Sequence, residues 1–180
     1  FIAIMDSASP FSAALNVGSN AEFIVNRSFT MAKAITIEGG GNMTHDENDS
    51  TVENTLNLTI SSLTVQTNGT INVDEKGHDQ NTGPGEGTNG GSHGGQGGDG
   101  TPGPTYGSVI APTNAGSGGS SVNSHGGGVV ILSVSGATEL YGDITANGQD
   151  LSGNWLYAGS GGSVNLTTAS LVGDASISAR

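Results

Sequence analysis

Two stretches of the sequence repeat one pattern: GGVVILSVSGATELYGDITANG at 127–148 and GGSVNLTTASLVGDASISAR at 161–180. Each opens with a glycine pair, continues into a run rich in alternating apolar residues, and turns through small polar residues. Each closes on a second short apolar run, at residues 144–146 or 177–179. Self-similarity of this kind is the signature of a repeat architecture.

Residues 56–73 form a third and looser copy. Leu56, Leu58 and Ile60 alternate with Asn57 and Thr59, as a half-buried strand requires. A further apolar run at 63–65, a turn at 67–70 and a short strand at 71–73 follow.

The end of this copy aligns with the ends of the other two. Ile71 occupies the position that Ile144 and Ile177 hold in the later copies. The alignment predicts that these three isoleucines are equivalent in the fold.

Residues 1–55 contain strand candidates at 15–17, 23–25 and 35–38, separated by Gly, Ser and Asn turn residues. The fragment FTMAKAITI at 29–37 looks partly helical, but its Ile-Thr-Ile end favours a strand. The polar and acidic stretch 39–55 is interpreted as an exposed loop.

An insertion at 77–128 separates the first copy from the second. It holds 19 of the 32 glycines and four of the five prolines. Loops of this length are functional lids, compact loops or disordered segments. We expect it to lie along the coils partly ordered, with Tyr106, Val109, Ile110 and Pro112 as its only anchors. Glycine would supply left-handed turns.

Short strands in repeated order, with no helix between them, predict stacked coils that share one core. The predicted fold is therefore all-β, a right-handed parallel β-helix (solenoid) with a long glycine-rich insertion loop. A β-sandwich, with turn signals every 8–12 residues, is the alternative. We interpret 1–180 as a single segment of a longer chain, with N-terminal coils at 1–55, repeated coils at 56–76 and 129–180, and the insertion at 77–128.

Composition excludes several classes of function. Sixteen acidic residues against four basic ones give a net charge of -12, which disfavours nucleic acid and anionic membranes as partners. The absence of cysteine rules out disulfides and thiolate metal sites. No apolar run approaches the roughly 20 residues that a membrane-spanning helix needs.

Six N-x-S/T sequons predict glycan attachment if the chain passes through a eukaryotic secretory pathway. Two asparagines fall on the outward phase of predicted strands, and the other four fall in predicted loops or turns. The acceptors are Asn26, Asn42, Asn48, Asn57, Asn68 and Asn165.

Calcium is the one cofactor that the sequence suggests, and only weakly. GGQGGDGTP at 94–102, which includes Asp99, partly matches a calcium-binding nonapeptide. Two acidic clusters offer further oxygen ligands. They are Asp46, Glu47 and Asp49, and Asp74, Glu75 and Asp79. The alternative is a solvated acidic face.

Histidines and aromatic residues give no strong site. His45, His78, His93 and His125 lack metal-type spacing and are interpreted as polar loop residues, with a weak transition-metal site as the alternative. Trp155 and Tyr157 form a candidate carbohydrate-contact surface or close the stack of coils.

We predict that the chain is not an enzyme. A polysaccharide lyase needs a cationic base and groups that neutralise charge. Because the sequence has only four basic residues, it does not favour a lyase. A glycoside hydrolase needs two placed carboxylates, and no such pair stands beside aromatic sugar platforms. The sequence has no nucleophile elbow, P-loop or dinucleotide fingerprint.

The order of INVDEKG, GGSHGGQGG, YGSVIAPTNAGSGG, GGGVVILSVSG, GDITANG and AGSGGSVNLT resembles a family of glycine-rich parallel β-helix repeats over residues 56–180. Its most specific element is Tyr106-Gly107-Ser108, followed by Ala111-Pro112-Thr113 and by GSGG at 116–119. Such repeats occur in very large secreted or cell-surface proteins. The resemblance implies a fibrous, adhesive or matrix role, as in mastigoneme-like surface filaments, and supplies no catalytic residues.

The sequence thus predicts a structural or adhesive module of a large extracellular glycoprotein. Its expected partners are neighbouring coils, copies of the same or related proteins, and glycans. The alternative is a β-helix protein that binds carbohydrate or processes polysaccharide.

Overall fold

A computed structural model describes residues 2–5, 13–98, 100–151 and 156–180. Eleven strands and no helix lie in these ranges. They are β1 (Ile2–Met5), β2 (Leu15–Val17), β3 (Glu22–Val25), β4 (Phe29–Ile37), β5 (Asn42–Thr44), β6 (Leu56–Val65), β7 (Thr70–Asn72), β8 (Val129–Leu140), β9 (Asp143–Thr145), β10 (Ser163–Gly173) and β11 (Ile177–Ser178). Within the same ranges, no helix is long and apolar enough to cross a membrane.

The chain alternates between two parallel sheets. One sheet has six strands in the order β1-β3-β5-β7-β9-β11, and the other has five in the order β10-β8-β6-β4-β2. We define a round as one strand of the five-stranded sheet together with the strand of the six-stranded sheet that follows it in the sequence. There are five rounds, from β2–β3 to β10–β11.

The all-β prediction is confirmed, and so is the parallel pairing of the repeats. Every pair formed by the described strands is parallel. Immunoglobulin-like sandwiches are built from antiparallel sheets. The parallel pairs of this chain therefore do not match the sandwich alternative.

The alignment of the three copies is confirmed residue by residue. Ile71 pairs with Ile144, and Ile144 pairs with Ile177. In the other sheet, Leu58 pairs with Leu132, and Leu132 pairs with Leu166. Equal spacing of apolar residues in each copy therefore produces continuous apolar rows across the strands.

The core lies between the two sheets and is filled by aliphatic side chains from alternate strand positions. In β6 the even positions from Leu56 to Ile60 are buried and Thr59 is exposed. After Ile60 the pairing with β8 shifts in register, and burial resumes at Leu63. A bulge of this kind lets a long strand keep its apolar face inward despite a change of phase.

The exposed loop predicted at 39–55 is wrong in part. Residues 42–44 form β5, which lies between β3 and β7. Met43 packs in the hydrophobic core and is fully buried, and His45, directly after the strand, is fully buried too. Three residues are too few for a recognisable alternation in the sequence.

The glycine-rich segment contains no strand or helix in its described residues, as expected of a loop, but hydrogen bonds order its backbone. We call the described parts of 77–128 the glycine layer. Its backbone bonds to itself, with Gly77 N donating to Gly126 O over 2.7 Å and Gly116 N donating to Gly127 O over 2.9 Å. It also bonds to the last round, because Gly127 N donates to Ser160 O over 2.9 Å.

Glycine is required where these backbones touch. A Cβ on Gly126 would meet the carbonyl of Gly116, and a Cβ on Gly116 would meet the carbonyls of Ser160 and Gly161. Most of these glycines do not have a positive φ, so the reason is close approach and not left-handed turns. The expectation of turn glycines holds only at a few positions, Gly83, Gly100 and Gly107 among them.

Two of the four predicted anchors of this segment are wrong, and a third, Pro112, is half-buried. Val109 and Ile110 are 93% and 92% exposed, so they do not hold the layer down. Tyr106 does anchor it, because its hydroxyl donates to Ala115 O over 2.5 Å. Buried hydroxyls take the place of aliphatic anchors: Ser117 Oγ accepts from Gly85 N over 2.9 Å, and Ser92 Oγ donates to Gly103 O over 2.9 Å.

Replacing Gly126 tests the layer. In Gly126→Ala the new methyl group meets the Gly116 backbone, which cannot move without breaking its bonds to Gly127 and His78. We expect a loss of about 1–3 kcal/mol in the free energy of unfolding, as for overpacked cores. Thermal and denaturant unfolding measure it.

Gly94→Ala is the matched control, because a Cβ there has nothing within 4 Å. It should leave stability unchanged or raise it by less than about 1 kcal/mol. Equal effects of the two substitutions would contradict a packed glycine layer.

Candidate functional site

An open groove of about 650 Å³ lies where the glycine layer meets the last round. One wall comes from residues 91–96 and 105–112, and the other from residues 160–163 and 179–180. The groove exists because Gly91 N donates to Ala158 O over 3.1 Å and Ser163 Oγ donates to Asn114 O over 2.6 Å. These bonds fix the two walls against each other.

An aromatic pair forms part of this groove. The rings of His93 and Tyr106 have centroids 4.6 Å apart and are tilted by 40°. Burial raises the pKa of Tyr106, so its hydroxyl stays protonated and donates to Ala115 O. His93 Nδ1 lies 2.8 Å from Gly161 O, and since a carbonyl only accepts, this nitrogen carries the hydrogen.

The rest of the groove offers hydrogen-bonding groups without carboxylates. Gln96 and Ser108 are exposed on the glycine layer, and Arg180 lies on the opposite wall. Val109 and Pro112 add apolar surface. An amide, a guanidinium and a tilted aromatic pair are groups that bind hydroxyl-rich ligands. Among the described residues, the lining contains no carboxylate pair for acid–base hydrolysis.

A second cavity, of about 310 Å³, is acidic. It brings together Asp49 and Asp79, which the sequence placed in separate clusters, with Glu47, Glu53 and His125. Asp49 Oδ1 accepts from Thr51 N over 2.8 Å, and this bond lowers the pKa of Asp49.

The acidic groups here already have protein partners. Asp79 Oδ1 accepts from Gln80 N over 2.6 Å and lies 3.3 Å from His125 Nδ1. Both contacts bind the carboxylate that a cation at this cavity would need.

The other calcium candidates lie apart from this cavity. Asp74 and Glu75 line a different cavity of about 390 Å³, where Asp74 Oδ1 accepts from Asn147 N over 2.6 Å. Asp46 accepts a 2.7 Å bond from Asn26 Nδ2. Asp99 lies outside the described residues. Across the described ranges, no three His, Asp or Glu side chains are arranged to hold a metal ion.

His45 lies outside the strands, as its interpretation as a polar loop residue requires, but it is fully buried. Its Nε2 accepts from Val129 N over 3.1 Å, and its Nδ1 lies 2.7 Å from Asp46 O. The imidazole is therefore neutral, with the hydrogen on Nδ1. Burial lowers its pKa from 6.5 to about 4, because the charged form loses its solvation.

This contact joins the end of β5 to the start of β8 across 84 positions of sequence. No local pattern around His45 indicates a contact with a residue so distant in sequence. The sequence therefore did not predict the role of His45. The nearest signal is the glycine at 128, whose missing Cβ leaves room for the His45 ring.

The remaining histidines have separate environments. His78 is buried, and burial lowers its pKa. His93 lies in the groove, and His125 lies in the acidic cavity. Among described residues the four imidazoles form no metal site.

Asn48 is the sequon asparagine least accessible to a glycosyltransferase. It is 7% exposed. Its Nδ2 donates to Asn54 O over 3.0 Å and to Lys76 O over 2.8 Å. Its Oδ1 accepts from Glu53 N over 2.9 Å and from Asn54 N over 2.7 Å. A glycan on Nδ2 would replace one of these bonds and would have to be buried.

Two other sequon asparagines join neighbouring rounds. Asn26 Oδ1 accepts from Asp46 N over 2.8 Å. Asn42 lies in β5 and not in a loop, and its Nδ2 donates to Glu22 Oε1 over 3.0 Å. Both amides are part of the contacts that hold the rounds in register.

The last three sequon asparagines face outward. Asn68 is exposed in the turn before β7, with a positive φ of 64° that asparagine tolerates well. Asn57 and Asn165 both pair with Ile131, so they lie on the outer face two strands apart. Strand spacing places them about 10 Å from each other.

Only one of the two residues of the candidate carbohydrate-contact surface lies in the described ranges. Tyr157 is partly buried, and its backbone N donates to Ser121 Oγ over 2.7 Å. Trp155 lies outside the described residues. The aromatic groups that the structure does bring together are His93 and Tyr106, which the sequence did not select as a pair.

Comparison with protein-family models, with curated proteins and with solved structures finds no match to this chain. The function is therefore argued from the geometry of the chain itself.

The depressed pKa of His45 predicts that acid destabilises the fold. Above pH 6.5 this histidine is neutral in both the folded and the unfolded chain. Between pH 6.5 and 4 only the unfolded chain binds the proton, so the free energy of unfolding falls as the pH falls. The contribution is about 3 kcal/mol over the full window.

Denaturant unfolding from pH 7.5 to 4 measures this loss. In His45→Gln we expect lower stability at pH 7.5 and a smaller loss towards pH 4, because the titrating group is gone. An unchanged pH dependence in that variant would refute the role of His45.

Proposed function

We propose that this chain is a structural module of a large extracellular glycoprotein, built as a right-handed parallel β-helix. The observation that carries the proposal is that its polar side chains join one round to the next. Asn26 binds Asp46, and Thr70 Oγ1 donates to Asn42 Oδ1 over 2.9 Å. Ser178 Oγ donates to Asn147 Oδ1 over 2.7 Å.

Such contacts use polar side chains to hold the stack together. Asp74, which accepts from Asn147 N, is a further example. In an enzyme we would expect acids and bases to converge on a cleft, with pKa values matched to proton transfer. Here the group with the largest pKa shift, His45, is sealed inside and hydrogen-bonded at both nitrogens.

The β-helix assignment is supported by the path of the chain. Strands alternate between the two parallel sheets, and successive strands of each sheet are neighbours. Connections between parallel strands of one sheet are right-handed in about 98% of cases. This rule favours a right-handed solenoid, since β4 reaches β6 by way of β5.

The extracellular setting is supported by three features of the sequence. Six sequons are present, and at least Asn57, Asn68 and Asn165 lie on the outer surface. The net charge of -12 disfavours nucleic acid as a partner. The resemblance of residues 56–180 to glycine-rich repeats of secreted and cell-surface proteins points the same way.

Immunogold electron microscopy of source cells, with antibodies raised against the folded chain, tests this function. We expect label on surface filaments or extracellular matrix. Label confined to the cell interior would refute the proposal. Pre-absorption of the antibody with the purified chain is the control.

Glycan occupancy should follow exposure. When the chain is secreted from eukaryotic cells, we expect glycans on Asn68 and none on Asn48, because Asn48 is buried and fully hydrogen-bonded. Mass spectrometry of proteolytic peptides with and without a glycosidase reads each site. Modification of Asn48 in folded protein, or no modification at any sequon, would contradict this expectation.

Carbohydrate binding is a second candidate function, and the groove beside His93 and Tyr106 favours it. A glycan array would identify a ligand. Gln96→Ala should then weaken binding several-fold, because Gln96 is an exposed amide of the groove. Gln66→Ala is the control, since Gln66 is equally exposed on a turn remote from the groove lining. Absence of binding across the array would remove this candidate.

A further inference from the structure

We propose that Asn89, in the glycine layer, is a site of spontaneous covalent modification, at which its side-chain amide is lost through attack by the backbone nitrogen of Gly90. The step takes place within one chain, so it requires neither an enzyme nor an uncovered surface. It is also independent of the extracellular role.

The reaction requires an asparagine followed by a residue whose nitrogen can reach the asparagine side chain. Glycine suits this second position best, because it has no side chain to hinder the approach. The nitrogen bonds to Cγ of the asparagine as the Cγ–Nδ2 bond breaks, and the leaving group takes up a proton and departs as ammonia. Water then opens the resulting succinimide ring at either carbonyl, which gives aspartate or isoaspartate. The chain has three Asn-Gly pairs, at 68–69, 89–90 and 147–148.

Two of the three pairs withhold the attacking nitrogen. Gly69 N donates to Gln66 O over 2.8 Å, and Gly148 N donates to Arg180 O over 2.8 Å. A backbone N–H that is bonded to a carbonyl is held in place by that bond, and it must give up the bond before it can attack. The fold therefore protects the asparagines at 68 and 147.

The protection at Asn68 is a general feature of the left-handed asparagines in this chain. Asn20, Asn81 and Asn123 also have a positive φ. After each of them, the next residue donates its N–H to the carbonyl two positions before the asparagine. These bonds are Ala21 N to Gly18 O over 3.0 Å, Thr82 N to Asp79 O over 3.1 Å, and Ser124 N to Ser121 O over 3.2 Å.

Gly90 lacks this protection. Its N–H has no acceptor among the residues that the structure describes, although Thr88 N and Gly91 N on either side both donate to carbonyls. Asn89 does not have a positive φ, so the protective turn is absent. The attacking nitrogen of this pair is thus available without the loss of a bond to the protein.

The amide that is attacked is equally unbonded. Asn89 is partly exposed, and its side chain makes no hydrogen bond to a described residue. It lies against Gly100, where a Cβ would collide with the amide. Packing alone holds the amide, and solvent water reaches it for the second step.

The product alters one part of the glycine layer. Asn89 O accepts from Ser120 N over 2.9 Å, and Gly91 N donates to Ala158 O over 3.1 Å. In isoaspartate the main chain between these two bonds is longer by one methylene group, so both bonds cannot keep their geometry. A negative charge is also added to a chain that already carries -12.

Peptide mapping of the folded chain after incubation at mildly alkaline pH tests the site. Cleavage after glutamate, at acidic pH to limit further reaction, separates the three pairs into peptides 54–75, 87–139 and 140–180. Fragmentation of each peptide then locates the new acid. We expect Asn89 to react at least several-fold faster than Asn68 and Asn147, and isoaspartate to form there. A rate at Asn89 equal to or below the rate at either of the other two would overturn the proposal.

The denatured chain is the matched control, because without the fold all three pairs have the same reacting groups. In denaturant we expect similar rates at the three asparagines. A preference for Asn89 that is just as large in denaturant would show that the fold does not select the site, and would also overturn the proposal. Asn89→Gln should abolish the reaction at this position in the folded chain and leave the other two rates unchanged. None of these results bears on the immunogold test of the extracellular role, so the two proposals can fail separately.

Discussion

Close contact between glycine backbones is the constraint on which the rest of the structure depends. Gly126 and Gly127 touch Gly116 and the 160–162 stretch at distances that no Cβ would permit. Hydrogen bonds at this contact tie the glycine layer to the last round. Immediately after it, Val129 begins β8, the strand that pairs with both β6 and β10. The position of β8 thus depends on the glycine layer that precedes it.

Two different kinds of interior stabilise the molecule. Between the sheets, aliphatic rows remove apolar surface from water, at roughly 25 cal/mol per Å². In the glycine layer there is little apolar surface to bury, and stability comes from satisfied backbone groups and from buried hydroxyls such as Ser92 and Ser117. His45 lies where the two interiors meet, because it accepts a bond from the first residue of β8.

The sequence predicted the repeated part well and the glycine-rich part poorly. Ile71, Ile144 and Ile177 were aligned correctly because each copy carries the same alternation, and alternation directly encodes which face is buried. A layer that is held by backbone contacts has no comparable pattern of apolar residues in its sequence. Its glycines look the same in the sequence whether they pack or remain flexible. Val109 and Ile110 were therefore taken as anchors, although the structure exposes both.

The candidate sites show the same limit. The groove depends on the contact of the His93 side chain with Gly161 O, across 68 positions of sequence, and no local motif predicts that contact. The acidic cavity likewise joins Asp49 to Asp79, which belong to separate clusters in the sequence. Exposure of sequon asparagines was predictable on long strands, where phase is visible. It was not predictable for Asn48, whose burial depends on Lys76.

Hydrogen exchange of the glycine-rich segment tests the central claim most directly. If 77–128 is a packed layer, peptides that contain Gly77, Gly116 and Gly126 will exchange as slowly as peptides from β6 and β8, because these amides bond to fixed carbonyls. Exchange of these peptides at the rate of an unstructured chain, with β6 and β8 still protected, would contradict the account.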